Sequence, residues 1–417
     1  MKEFEKNSLI ILFLTFITNI FSFLFQIIMG RMLDVSEFGT LNSISSFYSL
    51  VLLPVSIIFM VVSRHVTRYN IIGRSINVFL KKTLLFISIF AVFYTILGIS
   101  LSNIIASYIK IQNINIIILL MLAVGLGLIL PVATGGLQGG KKFIAFGMVN
   151  LIFWLTRLLA SIIFVLFGLG IHGIILSYII GNLLAIIIGF SVLKINFTGF
   201  YNNFHFNLNL KIFKYVWIAF MINIGMTFLT NIDIILVKHF FTDEITGLYS
   251  AASILGKAIL IASSSVIFVM FPYAAEADIK KYNIKIIFNK TLLYSAALSL
   301  FCAIGLNIFA KQIITVFFGN KYMESIIYIL PITIWIIAVS IIFVISNFLL
   351  AVNKADFFSY SLLFSCIICF FLVYFIHNKL NYIIYIFSSI SYIILVINFI
   401  SIRIKFKGWV FNEPAKQ

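Results

Sequence analysis

Of the 417 residues, 63% are hydrophobic and only 10% are charged, well below the roughly 25% charged residues of ordinary soluble domains. That excludes a water-soluble globular protein, a disordered chain and a nucleic-acid-binding chain. The net charge of +17 comes from 29 Lys and Arg against 12 Asp and Glu, and the cations sit mainly in short breaks between long apolar runs, as in a multi-spanning helical membrane protein.

In chain order, a short charged start over residues 1–7 leads into an apolar run at 8–30. This run is too long for a signal-peptide core and lacks a small-residue cleavage site, so it reads as the first span. Further runs fall near 40–63, 83–104, 114–134, 146–168, 171–193, 212–237, 247–273, 290–310, 325–350, 357–376 and 381–401, which makes 12 spans in all. At about 20 residues per span, these use up most of the apolar content and leave little for a soluble domain. Helices are expected, because lipid offers the backbone no hydrogen-bonding partner. The runs also exceed the roughly 10-residue alternating strands of a membrane barrel. Three cysteines are too few for a disulfide framework.

With the N-terminus in the cytoplasm, alternate connections collect most of the cations on the inner side, including Lys2, Lys6, Arg64, Arg68, Arg74 and the pairs at 81–82, 141–142 and 280–281. The outer connections hold only Arg31, Lys110, Lys238, Lys311, Lys321 and Lys379. The positive-inside rule therefore predicts a multi-pass protein of the cytoplasmic membrane with both termini in the cytoplasm. The longest inner connection divides the spans evenly. The expected organisation is an N-terminal six-helix lobe over 1–193, a cytoplasmic linker over 194–211, a second six-helix lobe over 212–401 and a cytoplasmic tail over 402–417.

The halves echo each other. Glu37, Leu41 and Ser43 in Glu37-Phe38-Gly39-Thr40-Leu41-Asn42-Ser43 match Glu244, Leu248 and Ser250 in Glu244-Ile245-Thr246-Gly247-Leu248-Tyr249-Ser250 without a gap, and Arg31 falls opposite Lys238. Leu137-Gln138-Gly139-Gly140-Lys141 similarly matches Leu350-Ala351-Val352-Asn353-Lys354. An even number of spans per lobe gives a parallel duplication, with the copies related by an axis along the membrane normal. Pro54, Pro131, Pro272 and Pro331 lie within the second, fourth, eighth and tenth spans. Each removes a backbone hydrogen bond. They are hinge candidates for opening a lobe on one side, or ordinary kinks.

Several stretches resemble the polysaccharide transporter branch, which includes the O-antigen and oligosaccharide flippases, of the multidrug/oligosaccharidyl-lipid/polysaccharide (MOP) flippase superfamily. They are Gly30-Arg31-Met32-Leu33-Asp34-Val35-Ser36-Glu37-Phe38-Gly39 after the first span, Gly135-Gly136-Leu137-Gln138-Gly139 with Lys142-Phe143 in the loop after the fourth, Asn231-Ile232-Asp233-Ile234-Ile235-Leu236-Val237-Lys238 running on to Gly247-Leu248-Tyr249, and Phe318-Gly319-Asn320-Lys321-Tyr322 before the tenth. With the span count, the resemblance covers nearly the whole chain. It implies an all-α protein of two six-helix bundles around a central cavity, moving a polyprenyl-pyrophosphate-linked glycan across the cytoplasmic membrane by alternating access. Peptidoglycan-precursor flippases of the same superfamily usually have two more spans, which weakens that role here.

A lipid-linked sugar carries an apolar tail, an anionic pyrophosphate and a large polar head, so a flippase needs a hydrated, cationic shelter for the head. Charges within spans are costly when they face lipid and therefore point to a cavity or a partner. Arg157, mid-way along the fifth span in Phe153-Trp154-Leu155-Thr156-Arg157, suits bidentate phosphate contact. Its alternative is a buried partner for Asp233 or for a helix carbonyl. Lys257, too deep in the eighth span for easy snorkelling, is a second substrate-contacting cation. Asp233, beside Thr230 and Asn231, is either a proton or cation site coupling transport to an ion gradient, or an ion-pair partner of Lys238 or Lys257. Arg31 at the outer end of the first span either guides head groups or snorkels. Arg64, Arg68 and Arg74 either gather pyrophosphate at the cytoplasmic mouth or simply set topology and contact anionic lipid. Cys366 and Cys369 have C-x-x-C spacing but lie within an apolar span with no second pair, so no metal site is expected. His172 is expected to be packed or water-bonded.

The leading function is export of a lipid-linked oligosaccharide for a surface polysaccharide. No cofactor is expected beyond coupling to a proton or sodium gradient, and the partners are the lipid-linked glycan, membrane lipids and other polysaccharide-assembly membrane proteins, with the chain acting as a monomer. An ion-coupled multidrug exporter of the same superfamily is the alternative. It would favour acids in its cavity, whereas the spans hold two cations and one acid. A membrane-embedded polymerase or glycosyltransferase ranks last. The outer connections are short and no D-x-D pair occurs, so the chain is not expected to be an enzyme.

Overall fold

The computed structural model describes residues 2–72, 75–195, 210–280, 284–352 and 354–407; within these, the side chains at 2–9, 11–12, 210–213, 264–265, 268–269, 271–273, 275–280, 284–285 and 403–407 are outside the description. Among the described residues the secondary structure is entirely helical. Eleven helices are long and apolar enough to cross a membrane, and 12 spans result if one bent pair counts as a single crossing. The chain is therefore a multi-pass integral membrane protein. It divides into two compact units, Met1–Val216 and Trp217–Gln417. Most of the expected linker lies outside the described residues, as does Arg74.

The first unit contains α1 (Lys2–Met32), α2 (Val35–Val51), α3 (Leu53–Ile71), α4 (Ile76–Ser100), the short α5 (Ser102–Tyr108), α6 (Ile114–Gly139), α7 (Phe143–Leu166) and α8 (Gly170–Leu193). Its centre is α6, two-thirds buried, which packs against α3, α4 and α8, while α7 lies against α8 and α1. By contrast α4 is only 11% buried and turns Phe86 and Phe93 outward, as a helix facing lipid should.

The second unit repeats this plan with α9 (Leu210–Phe240), α10 (Asp243–Lys280), α11 (Ile284–Ile308), the short α12 (Ala310–Phe317), a 3-10 turn (Asn320–Ser325), α13 (Ile326–Ala351), α14 (Asp356–Phe375) and α15 (Leu380–Lys407). Here α13 is the buried centre, packed against α10, α11 and α15, and α14 lies against α15. The starts of α2 and α10, of α4 and α11, and of α5 and α12 share one sequence separation. The echo at Glu37 and Glu244 falls at this repeated helix start but one residue out of register, Glu37 being the third residue of α2 and Glu244 the second of α10. The Glu37 carboxylate accepts from the Asp34 N–H at 3.4 Å, and the Thr242 hydroxyl accepts from the Ile245 N–H at 3.4 Å. Each supplies an acceptor to otherwise orphan N–H groups.

The short helices α5 and α12 were not expected from the apolar runs. Each closes on a left-handed residue, Lys110 at φ 55° and Gly319 at φ 91°. The second value strongly favours glycine and gives the Phe318-Gly319 motif a physical reason.

The second span also departs from a single straight run. Val35–Val51 and Leu53–Ile71 meet at 42°, with Pro54 in the first turn of α3. Proline has no N–H to continue the ladder of α2 and is tolerated at a helix start. Pro131 and Pro331 lie inside α6 and α13. The Pro272 side chain is outside the described residues, although α10 runs through that position.

Candidate functional site

The glycine motif expected in a loop instead forms the last turns of α6, with Gly139 its final residue. A Cβ on Gly139 would stand 2.4 Å from the Ser63 carbonyl oxygen. The missing side chain therefore lets α6 touch the backbone of α3. The contact is pinned where the Ser63 hydroxyl donates to Gln138 Oε1 at 2.9 Å and the Thr67 hydroxyl donates to the Gly139 carbonyl at 3.2 Å. Small residues at a four-residue interval serve close helix contact in membranes in this way. The motif builds a joint rather than a binding loop. Nearby, Lys142 Nζ donates to the Val192 carbonyl at the end of α8 at 2.9 Å, capping a helix C-terminus as a cation should.

Arg157 is buried in the middle of the first unit, 5% exposed, on α7. Its guanidinium carbon lies 3.4 Å from the ring centre of Tyr178 on α8, 4.4 Å from that of Phe25 on α1 and 4.6 Å from that of Trp154 one turn earlier on α7. Three helices thus form an aromatic cage. Gly181 allows α7 and α8 to approach closely, since a Cβ there would lie 3.1 Å from the Phe153 carbonyl oxygen. The walls are held by polar contacts. Ser45 and Tyr178 hydroxyls share a 2.8 Å hydrogen bond, and the Asn182 amide donates to Tyr48 at 3.1 Å and to the Ala123 carbonyl at 3.2 Å. The Tyr48 and Tyr178 rings meet edge to face at 5.2 Å.

Among the described residues no carboxylate pairs with Arg157, and its Nε hydrogen has no acceptor. A charged side chain at the centre of a span costs roughly 3 kcal/mol on insertion scales, and a desolvated cation–π contact returns about 2 kcal/mol. Three rings can therefore hold a guanidinium in the span without a counter-charge. Of the alternatives for Arg157, a helix-carbonyl partner is not seen among the described residues, and Asp233 is paired within its own unit.

The second unit treats its buried charge differently. Asp233 on α9 is fully buried, and Tyr249, Ser253 and Lys257 present one face of α10 to it at intervals of one turn. Tyr249 and Ser253 donate to Oδ2 at 2.9 and 3.1 Å. Lys257 Nζ donates to both carboxylate oxygens at 2.9 Å. Of the alternatives for Asp233, the structure shows the ion pair with Lys257. Lys238, buried although placed in an outer connection, pairs with Asp243 instead.

Lys257 is therefore no lone cation. Its ammonium also sits 5.9 Å from the Trp335 ring. Thr230 and Asn231 do not join Asp233. The Thr230 hydroxyl donates to the Met226 carbonyl at 2.8 Å, and the Asn231 amide donates to the Thr227 carbonyl at 3.1 Å and to the Thr230 hydroxyl at 3.0 Å. Both are spent along their own helix.

Arg31 is exposed in the last turn of α1. Arg64 and Arg68 are exposed one turn apart on α3, with Arg68 in its last turn, where a cation meets the negative end of the helix dipole. The Cys366 thiol lies 3.7 Å from the Gly225 carbonyl oxygen, a packing contact. His172 shares a 3.0 Å hydrogen bond with the Asn113 amide.

Sequence reading missed Phe25, Tyr178 and Ser253, and gave Tyr249 no role beyond its place in the repeat and the family motif. The four-residue spacing of Tyr249, Ser253 and Lys257 on one helix face was a usable signal. The convergence of Phe25 and Tyr178 on Arg157 spans distant helices and had none.

A family described as polysaccharide biosynthesis protein matches residues 28–327. No curated protein matches the chain. Among solved structures, the fold is similar to an inward-facing multidrug resistance MATE family transporter of the MOP superfamily, with TM-score 0.75 and 10% identity over 96% of this chain and 98% of that one. It is also similar to the lipid II flippase MurJ in an inward closed conformation, with TM-score 0.74 and 14% identity over 95% of this chain and 87% of that one. An outward-facing MATE transporter follows at TM-score 0.65 and 11% identity, covering 96% and 94%. These likenesses concern the fold.

Proposed function

Because the chain belongs to the polysaccharide biosynthesis protein family and has the fold of the MOP flippases, we propose that it moves a polyprenyl-pyrophosphate-linked oligosaccharide across the cytoplasmic membrane by alternating access, for assembly of a surface polysaccharide. The observation that carries this reading is Arg157, a buried guanidinium with an unsatisfied Nε and, among the described residues, no carboxylate partner. A site of that kind suits an anion, and the diphosphate is the anionic part of such a cargo. Guanidinium groups form bidentate, charge-assisted bonds to phosphate oxygens and keep their proton when desolvated.

The multidrug alternative has less support. A cationic drug needs an available acid, and the buried Asp233 already accepts from Lys257, Tyr249 and Ser253. In this reading both termini face the cytoplasm, consistent with the sorting of cations along the chain.

Export in a strain lacking the transporter tests the proposal. Arg157→Ala should cut surface glycan by at least about tenfold, the effect of losing one charged contact worth more than about 1.4 kcal/mol, while its abundance in the membrane is unchanged. Full export by an inserted Arg157→Ala protein would contradict it.

A further inference from the structure

Arg157 in the first unit and Lys257 in the second each lie within a span, in opposite electrostatic settings. Arg157 has aromatic faces around it and, among the described residues, no counter-charge. Lys257 contacts both oxygens of Asp233 at 2.9 Å. That pair is asymmetric towards its surroundings, because the Asp233 side chain is fully buried while that of Lys257 is 17% exposed.

An ammonium has three N–H donors. Two point at Asp233, and the described residues supply no acceptor for the third. That third donor is left for an anion, which could add to the partly exposed Lys257 side chain without breaking the pair. It would meet a compensated charge, since the carboxylate at contact distance cancels most of the ammonium's field. A transport pathway needs such sites, attractive enough to admit the cargo and weak enough to release it. Tyr249 and Ser253 set the balance. By donating to Oδ2 they draw part of the carboxylate's charge away from Lys257.

We propose that Asp233 is a positioning residue that governs release: it holds the Lys257 ammonium in place with its charge compensated, so that a diphosphate-class anion binds there weakly and departs. This inference rests on the head-group reading above. It differs from a purely structural ion pair in sign, because removal of Asp233 should tighten anion binding rather than abolish it.

The test measures binding of inorganic pyrophosphate and of farnesyl pyrophosphate to the purified full-length protein in detergent, alongside cargo turnover in vesicles. Asp233→Asn is expected to bind both probes about tenfold more tightly, in line with the coupling of close charges at binding sites, and to turn over more slowly. Lys257→Met should lose that gain when combined with Asp233→Asn. Tyr249→Phe, which leaves more of the carboxylate's charge on Lys257, should bind several-fold more weakly, and it carries the test if Asp233→Asn does not fold.

Unchanged or weaker binding in Asp233→Asn, or unchanged binding in Tyr249→Phe, overturns the inference. If those variants bind like wild type while Arg157→Gln loses the probes, this inference fails and the head-group reading stands. If wild-type protein binds neither probe, the head-group reading itself fails and takes this one with it.

Discussion

Arg157 and Lys257 show how two spans can carry a cation by different means. Around Arg157, planar rings from three helices stack on a planar group, and shape matters as much as charge. Lysine is a compact ammonium that cannot stack in this way. We therefore predict that Arg157→Lys fails to restore glycan export, staying within about twofold of Arg157→Ala, as measured by surface-glycan labelling at matched protein abundance. Tyr178→Phe keeps the ring but loses the hydroxyl bonded to Ser45. It should lower stability by about 1 kcal/mol, the usual net worth of such a bond, read as a reduced unfolding midpoint in detergent. Both of these cations were legible in the sequence, because a charge inside an apolar run is conspicuous. Their partners were not. The Trp154 ring is one turn from Arg157 on the same helix, but Phe25 and Tyr178 arrive from α1 and α8 through tertiary packing. The neighbours Thr230 and Asn231 looked like companions of Asp233, yet each satisfied its own helix.

Among elements, the α3–α6 joint and the α2–α3 bend make separate demands. Gly139 leaves no room for a side chain against the Ser63 carbonyl, and that oxygen belongs to backbone, which cannot swing aside. Gly139→Val should force the helices apart and cost at least about 2 kcal/mol, the scale of overpacking in a tight core. A fall in the unfolding midpoint together with lower membrane abundance would show this. Pro54 marks the bend between α2 and α3. Pro54→Ala restores an N–H and allows the two helices to run on. If the bend serves movement, this variant should unfold no more easily than wild type yet export less glycan, whereas full export would make the proline a passive kink. Apolar run lengths located the long helices well, since roughly 20 residues are needed to cross the bilayer. They could not locate α5 or α12, which are too short to register, nor the onset of the bend, where α2 and α3 form one continuous apolar stretch in sequence. The glycine motif looked like a loop for the same reason that it packs closely, its lack of side chains.

Across the whole molecule, the charge distribution is the strongest organising signal. Cations sorted by connection predict sidedness without any knowledge of tertiary structure. Single cysteines introduced at Lys82 or Lys141 should react only with reagents reaching the cytoplasmic face, and those at Lys110 or Lys321 only from outside. The reverse labelling would invert the topology. The repeated order of helices, with α6 and α13 at the centres of their units, was partly visible in the matched starts at Glu37 and Glu244. Glu37 belongs to the cap of α2, whereas the acceptor at the start of α10 is Thr242, so the match marks a helix start rather than a shared cap residue. The cargo is tested most directly by transport itself. Purified protein reconstituted in vesicles should move a labelled polyprenyl-pyrophosphate-linked oligosaccharide from one leaflet to the other, with Arg157→Gln slower by at least about tenfold. Equal rates for wild type and Arg157→Gln, or transport of cationic drugs while the lipid-linked sugar stays in place, would contradict the account.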